Sequence, residues 1–219
     1  MAELLIPIFP LPDVVFFPNT VLPLHVFEPR YRQMVADCLA GDGRLAVVML
    51  RPGWERDYYG RPPVFAVAGA GEIIQSERLA DGRYNILLEG QMRIRIEDEV
   101  RSDLPYRVAR ARRLADVLPD GAGAALRERL LALRASYAKL LEALGQAHPE
   151  LVGRLTAAGA TPDAVIDRIA SAVVADAAVR QRILEALDVS DRLDLAAAAL
   201  EDLLTMVAGS EGEEEGGDA

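Results

Sequence analysis

Phe9 to Tyr31 reads FPLPDVVFFPNTVLPLHVFEPRY, and five prolines (Pro10, Pro12, Pro18, Pro23 and Pro29) interrupt what would otherwise be apolar strands. Proline gives no N–H to a sheet ladder, so the first four confine their segments to edges, bends and strand ends. The pattern predicts strands folding around the corners of a barrel. Pro18-Asn19 reads as the central pair of a turn between Phe16-Phe17 and Val21–Leu24. Beyond it Pro29 suits the first turn of a helix. Tyr31, Met34/Val35 and Cys38/Leu39 recur at helical spacing, and Gly41 supplies a stop. Cys38 falls on the apolar stripe and is read as a packing residue. His25, Glu28 and Arg30 sit close together here without a partnered nucleophile or a second metal ligand. Their expected role is local, with Glu28 at the helix start and Arg30 in its first turn, bonded to loop backbone.

Working outward, residues 4–8, 14–17, 21–27, 45–50, 64–68, 70–78, 83–89, 91–98 and 106–114 are short, apolar and separated in many places by Gly, Pro or Asp-Gly, which predicts strands. In RYNILLEGQMRIRIED, residues 83–98, Met92, Ile94 and Ile96 alternate with Arg93, Arg95 and Glu97. That period of two marks a half-buried strand. Glu89-Gly90 suits a tight hairpin turn, and Asp81-Gly82 another. The composition changes at LPDGAGA, residues 118–124. Afterwards Leu126, Leu130, Leu133, Tyr137, Leu140/Leu141 and Leu144 form one helical face ending at Gly145. Thr161-Pro162-Asp163 starts a further helix over 162–175, with a capping side chain. Another helix covers 177–187, and a last one runs from Ser190 or Asp191 to about Val207. The fold class is therefore α+β, divided as 1–118 (β), 119–208 (helical) and 209–219, an acidic tail expected to be disordered.

The chain has 219 residues, enough for one large or two small domains. It is 51% hydrophobic and 26% charged, and no apolar run approaches the ~18 residues of a membrane span. The start MAELLIPIFPLP lacks the basic opening of a signal peptide, so a cytoplasmic protein without membrane contact is expected. One cysteine excludes an internal disulfide, and two histidines argue against a zinc site; no metal or cofactor is expected. The net charge of −10 is unevenly spread. Residues 1–118 carry 15 basic and 16 acidic side chains, residues 119–219 carry 9 and 18. Five of those acids stand in SEGEEEGGDA, a solvating segment that says little about partners.

Four segments resemble the amino-terminal, substrate-binding domain of the Lon ATP-dependent proteases. IPIFPLPDVVFFPNTVLPLHVFEPRYRQMV is similar to that domain's opening, AVAGAGEIIQ to its glycine-bearing strand, ILLEGQMRIRI to its Glu-Gly hairpin, and ILEALDVSDRLDLAAAALEDLL to its helical segment around "LDV..RL". The similarity runs from about Leu4 to Met206. It implies a PUA-like pseudo-barrel of about six main strands with one internal helix, followed by a helical subdomain. The only lysine is Lys139, so the phosphate-binding loop G-x-x-x-x-G-K-[ST] does not occur. The chain thus looks like a stand-alone bacterial version of the domain, without ATPase and peptidase parts. The resemblance implies a non-catalytic module for unfolded or degron-bearing polypeptides or a protein partner, a Lon-type protease among the candidates.

Ser136 and Lys139 spell S-x-x-K, but the acylation chemistry of that motif also needs a K-T-G-like element, and a second lysine does not exist. No catalytic residue is assigned. The loop RPGWERDYYGRPP, residues 51–63, holds the only tryptophan and two of six tyrosines. Trp54, Tyr58 and Tyr59, together with Phe16 and Phe17, are the proposed polypeptide contacts, because aromatic rings on a surface loop supply contact area. The alternative, that the loop aromatics pack the loop onto the barrel, stays open. Arg93, Arg95, Arg110 and Arg112, flanked by Arg107 and Arg113, could form an RNA-binding face, since PUA-like folds include RNA binders. The near-neutral charge of residues 1–118 and the pI near 4.8 weigh against nucleic acid.

Overall fold

In the computed structural model, which describes residues 3–118, 123–146 and 160–214, the proline-broken stretch does turn corners. Strand β1 (Glu3–Leu11) leads through Pro12–Thr20 into β2 (Val21–Val26), and helix α1 (Pro29–Ala40) follows. Then come β3 (Arg44–Met49), a single 3-10 turn (Trp54–Asp57), β4 (Val67–Arg78), β5 (Tyr84–Val100) and β6 (Arg107–Leu114). The sheet order is β2-β5-β4-β3-β1-β6, and β5 also pairs with β6. That last pairing joins β1, β3, β4, β5 and β6 into a closed ring, with β2 added along the outer side of β5. Only β1 and β3 run parallel.

Alternation along the strands sorts the side chains into two layers. Ile6, Ile8, Ala46, Val48, Ala68, Ala70, Ile94, Ala109 and Ala111 fill the inside of the ring. Alanine is frequent there because a five-strand ring leaves little room for larger side chains. The opposite faces of β3 and β5, with Leu45, Val47, Ile86 and Leu88, pack against Tyr31, Met34, Val35 and Cys38 of α1. The stripe predicted for α1 is thus the buried one, except Leu39, which is exposed.

Three strand expectations are corrected. Residues 14–17 are not a strand. They cross over the sheet as an extended segment, and Phe16 and Phe17 are buried beneath it. A Cβ at Gly69 would collide with the Phe16 carbonyl oxygen, and one at Gly90 with that of Phe17. Glycine at these positions lets the crossing backbone lie directly on β4 and β5. Asn19 N–H donates to Gly90 O at 2.8 Å and Gly90 N–H donates to Thr20 O at 2.8 Å, fixing the crossing. Nor is Glu89-Gly90 a hairpin turn: residues 84–89 and 91–98 belong to one strand, β5. Ala70 pairs with Met92 but Gly71 with Gly90, which leaves Gln91 as a bulge. The bulge bends β5, so its first half meets β2 and its second half meets β6. Of residues 64–68 only Val67 and Ala68 enter β4; Val64 makes one isolated bridge to Leu50. Asp81-Gly82 does form the β4–β5 turn, with Gly82 at φ +82°.

The contacts divide the chain between Ala115 and Asp116, slightly before the expected residue 118. Val117 belongs with the helices because its N–H donates to Leu187 O and its carbonyl accepts from Val189 N–H. The helical unit contains α2 (Gly123–Ala143), α3 (Pro162–Val173), α4 (Ala177–Glu185) and α5 (Val189–Glu214). Leu126, Leu130, Leu133, Tyr137, Leu140 and Leu141 of α2 are buried as predicted, whereas Leu144 lies past the helix end and is exposed. Thr161 occupies the N-cap of α3 without a side-chain bond; the capping carboxylate is instead Asp176, which accepts from Ala178 and Val179 N–H at the start of α4. α5 continues to Glu214, past the predicted end, so residues 209–214, expected in the tail, are helical. Residues 119–122 of the expected junction, His148 and residues 215–219 of the acidic tail lie outside the described residues. The Arg of "LDV..RL", Arg192, is fully buried: its guanidinium pairs with Asp116 and, at 3.5 Å, with the equally buried Asp167.

Candidate functional site

The loop after β3 is pinned at both ends. Leu50 bridges Val64, and Arg51 N–H donates to Pro63 O at 2.9 Å. Gly53 takes a left-handed conformation, φ +88°, and opens the 3-10 turn Trp54–Asp57. Asp57 closes it from below, its carbonyl accepting Gly60 N–H and its carboxylate Arg61 N–H. Trp54, Tyr58 and Tyr59 therefore stand in one row, with ring centres 5.5 Å apart for the first pair and 5.2 Å for the second, both edge-on.

What holds this row is the end of the opening stretch. Tyr58 Oη donates to Glu28 Oε1 at 2.6 Å, and Arg30 Nε donates to Glu28 Oε2 at 3.0 Å. The Arg30 guanidinium lies over Tyr31 at 4.6 Å and Tyr58 at 5.3 Å. Glu28 and Arg30 are structural, as expected, but the detail differs: Glu28 makes no helix-capping bond, and Arg30 bonds a carboxylate rather than loop backbone. His25 does not join them. Its ring lies against Asn85 Oδ1 at 2.7 Å and Arg83 Nη1 at 3.1 Å. Burial first, and the bond to Glu28 second, raise the Tyr58 hydroxyl above its ordinary pKa; burial raises Tyr31 to about 12. These phenols stay neutral donors at physiological pH.

Within the row Trp54 and Tyr58 are half-buried, while Tyr59 is 87% exposed. Beside Tyr59 runs a groove of about 290 Å³, lined also by Arg61, Leu104, Pro105, Tyr106 and Arg107. Tyr106 Oη donates to Asp37 at 2.8 Å. Arg107 is held by Glu99 and donates to Pro62 O at 3.0 Å, tying the loop's far end to β6. Tyr106, Leu104 and Pro105 were not singled out in the sequence: SDLPYR carries no periodicity, and its only signal is an aromatic next to a proline. The arrangement offers aromatic faces and guanidinium edges to a side chain, with no convergent nucleophile and base.

The other expected contacts lie elsewhere. Phe16 and Phe17 are buried under the crossing segment, so neither faces solvent. Cys38 is buried, its thiol donating to Arg44 O at 3.3 Å, and burial pushes it up to about 12. Lys139 is exposed on α2 with Ser136 one turn earlier. On the arginine strands, Arg93 is buried, Arg110 pairs with Glu3 and Asp98, and Arg112 pairs with Glu97 at 3.2 Å. Arg95 is exposed, and among the described residues no carboxylate pairs with it. Among the described residues no three His, Cys, Asp or Glu side chains gather as for a metal ion. No helix among them is long and apolar enough to cross a membrane.

Residues 5–202 match the family described as the ATP-dependent protease La (LON) substrate-binding domain. The chain belongs to this family. Among its relatives are the Lon protease of Desulfosudis oleivorans, 24% identical over 188 residues, and Lon protease 2 of Sorangium cellulosum, 30% identical over 200 residues. These matches cover 86% and 88% of this chain but 22% and 24% of the relatives, so the chain spans about a quarter of their length. The fold agrees with the amino-terminal domain of a Mycobacterium avium complex Lon protease, TM-score 0.64 and 21% identity, covering 90% of this chain and 98% of that one. It agrees also with a Lon amino-terminal domain protein from Xanthomonas campestris, TM-score 0.57, 22% identity, covering 89% and 98%.

Proposed function

We propose that this chain is a non-catalytic, cytoplasmic binding module that captures unfolded or degron-bearing polypeptides through the 51–63 loop and the groove beside it, alone or together with a Lon-type protease. Family membership supports polypeptide binding in general. The observation that selects the surface is Tyr59, 87% exposed at the head of a braced aromatic row and next to a groove. A large exposed ring on a loop already fixed from behind adds contact area with little ordering cost. Tyr59 and Trp54 are the contact residues, and Tyr58 is the brace that positions them. The arginine strands do not favour RNA, because Arg110 and Arg112 are neutralised by acids and Arg93 is buried.

The test is fluorescence anisotropy of the full chain with a labelled, permanently unfolded polypeptide. Tyr59→Ala and Trp54→Ala should each weaken binding about tenfold, the range of an aromatic hot spot. Unchanged affinity in both variants would remove the loop from the binding surface.

A further inference from the structure

On the other side of the first turn of α1 lies a second cleft, of about 190 Å³, lined by Arg32, Gln33, Arg78, Gly82 and Tyr84. Most arginines nearby are neutralised: Arg30 by Glu28, Arg44 by Asp42, Arg83 by Asp81, Arg107 by Glu99. Arg32 and Arg78 are held differently. The Arg32 guanidinium meets the Asp81-Gly82 turn with its Nη2 end, so close that a Cβ on Gly82 would collide with it. Arg78 stands over the ring of the buried Tyr84 at 5.9 Å. Asp81, in the same turn, accepts from Arg83 at its backbone N–H and at Nε, and it feels the Arg32 charge without a hydrogen bond to it. Both cations are thus placed by packing on backbone and ring, and among the described residues no carboxylate takes a hydrogen bond from either.

We infer that Arg32 and Arg78 form a subsite for a carboxylate of a bound polypeptide, an acidic side chain or a chain terminus. The inference rests on the polypeptide-binding reading and adds a charge preference to it. Planar guanidinium forks match a carboxylate with paired, charge-assisted hydrogen bonds. The cleft is smaller than the roughly 300 Å³ at which small-molecule pockets begin, which suits one side chain of a longer ligand. Polypeptide is favoured over nucleic acid because residues 1–118, with 15 basic and 16 acidic side chains, hold no excess of positive charge to neutralise a run of phosphates, whereas one carboxylate needs only the local pair.

The experiment uses the full chain and three labelled unfolded peptides: one with a central Glu-Glu pair and an amidated end, its Gln-Gln isostere with an amidated end, and that isostere with a free carboxyl end. The Glu-Glu peptide, the free-end peptide, or both should bind about tenfold more tightly than the amidated isostere at low salt, and which one does so identifies the source of the carboxylate. R32Q/R78Q should erase that preference. R78Q alone, which alters only an exposed side chain, should reduce it severalfold and serves as the folding-safe variant. Equal binding of all three peptides, or a preference that survives R78Q and R32Q/R78Q, overturns the subsite alone. Binding of none removes the polypeptide reading and the subsite with it. Displacement of the acidic peptide by single-stranded RNA acting through Arg32 and Arg78 would reassign the cleft to phosphate and overturn the assignment.

Discussion

Gly69 and Gly90 are required by the fold, because the segment Phe16-Phe17 rests its carbonyls on them. Gly69→Ala should therefore destabilise the barrel by about 1–3 kcal/mol, the usual range for forced overpacking. Urea unfolding followed by Trp54 fluorescence measures it, and a shift within error would mean that the crossing can lift without cost. Protonation offers a second residue-scale check. Cys38 and Tyr31 are both raised to about 12 by burial, from ordinary values of 9.0 and 10.0. Each folded form holds its proton above the pH at which the unfolded chain releases it. Their contribution is fully present below about pH 9 and is lost progressively as pH rises toward about 12. The denaturation midpoint should fall across that window, and Cys38→Ala should flatten its lower part. A midpoint that stays level between pH 9 and 11 would contradict the burial of both groups.

At the scale of elements, the loop depends on the stretch that opens the chain. Tyr58→Phe removes one hydroxyl bond to Glu28, whose other oxygen stays with Arg30. Stability should change by only about 1 kcal/mol. Polypeptide affinity should drop more than that, because the row carrying Tyr59 loses its brace and must be ordered on binding. Anisotropy and thermal unfolding on the same variant separate the two; a purely structural role would move only the second. Strands β1, β2, β3 and β6 and helix α1 were legible in the sequence, since period and punctuation both pointed to them. Residues 14–17 were not, because an apolar extended run reads alike whether it pairs in a sheet or lies across one. Gly90 misled for a related reason: glycine after glutamate signals a turn locally, but here it admits a neighbouring backbone and a bulge. The aromatic row was visible in RPGWERDYYGRPP, whereas Tyr106 and the Glu28 brace come from distant segments and no local pattern announces them.

For the molecule as a whole, contacts gather into a barrel unit and a helical unit, and each has its own buried core. The helical unit also has an ionic centre. Arg192 of α5 reaches Asp167 of α3 and Asp116 ahead of α2, and its Nε donates to Ala186 O at 3.0 Å. Removing the cation breaks an ion pair in which both side chains are fully buried, so Arg192→Ala should cost about 3–5 kcal/mol. That loss should fall on one unit. Trp54, the single tryptophan, reports the barrel, while helical circular dichroism reports mainly α2 to α5. In the variant the helical signal should unfold at distinctly lower denaturant than the tryptophan signal, and peptide binding through the loop should persist between the two transitions. If both signals shift together, the two units fold as one cooperative body, and the binding surface depends on an ion pair that it never touches.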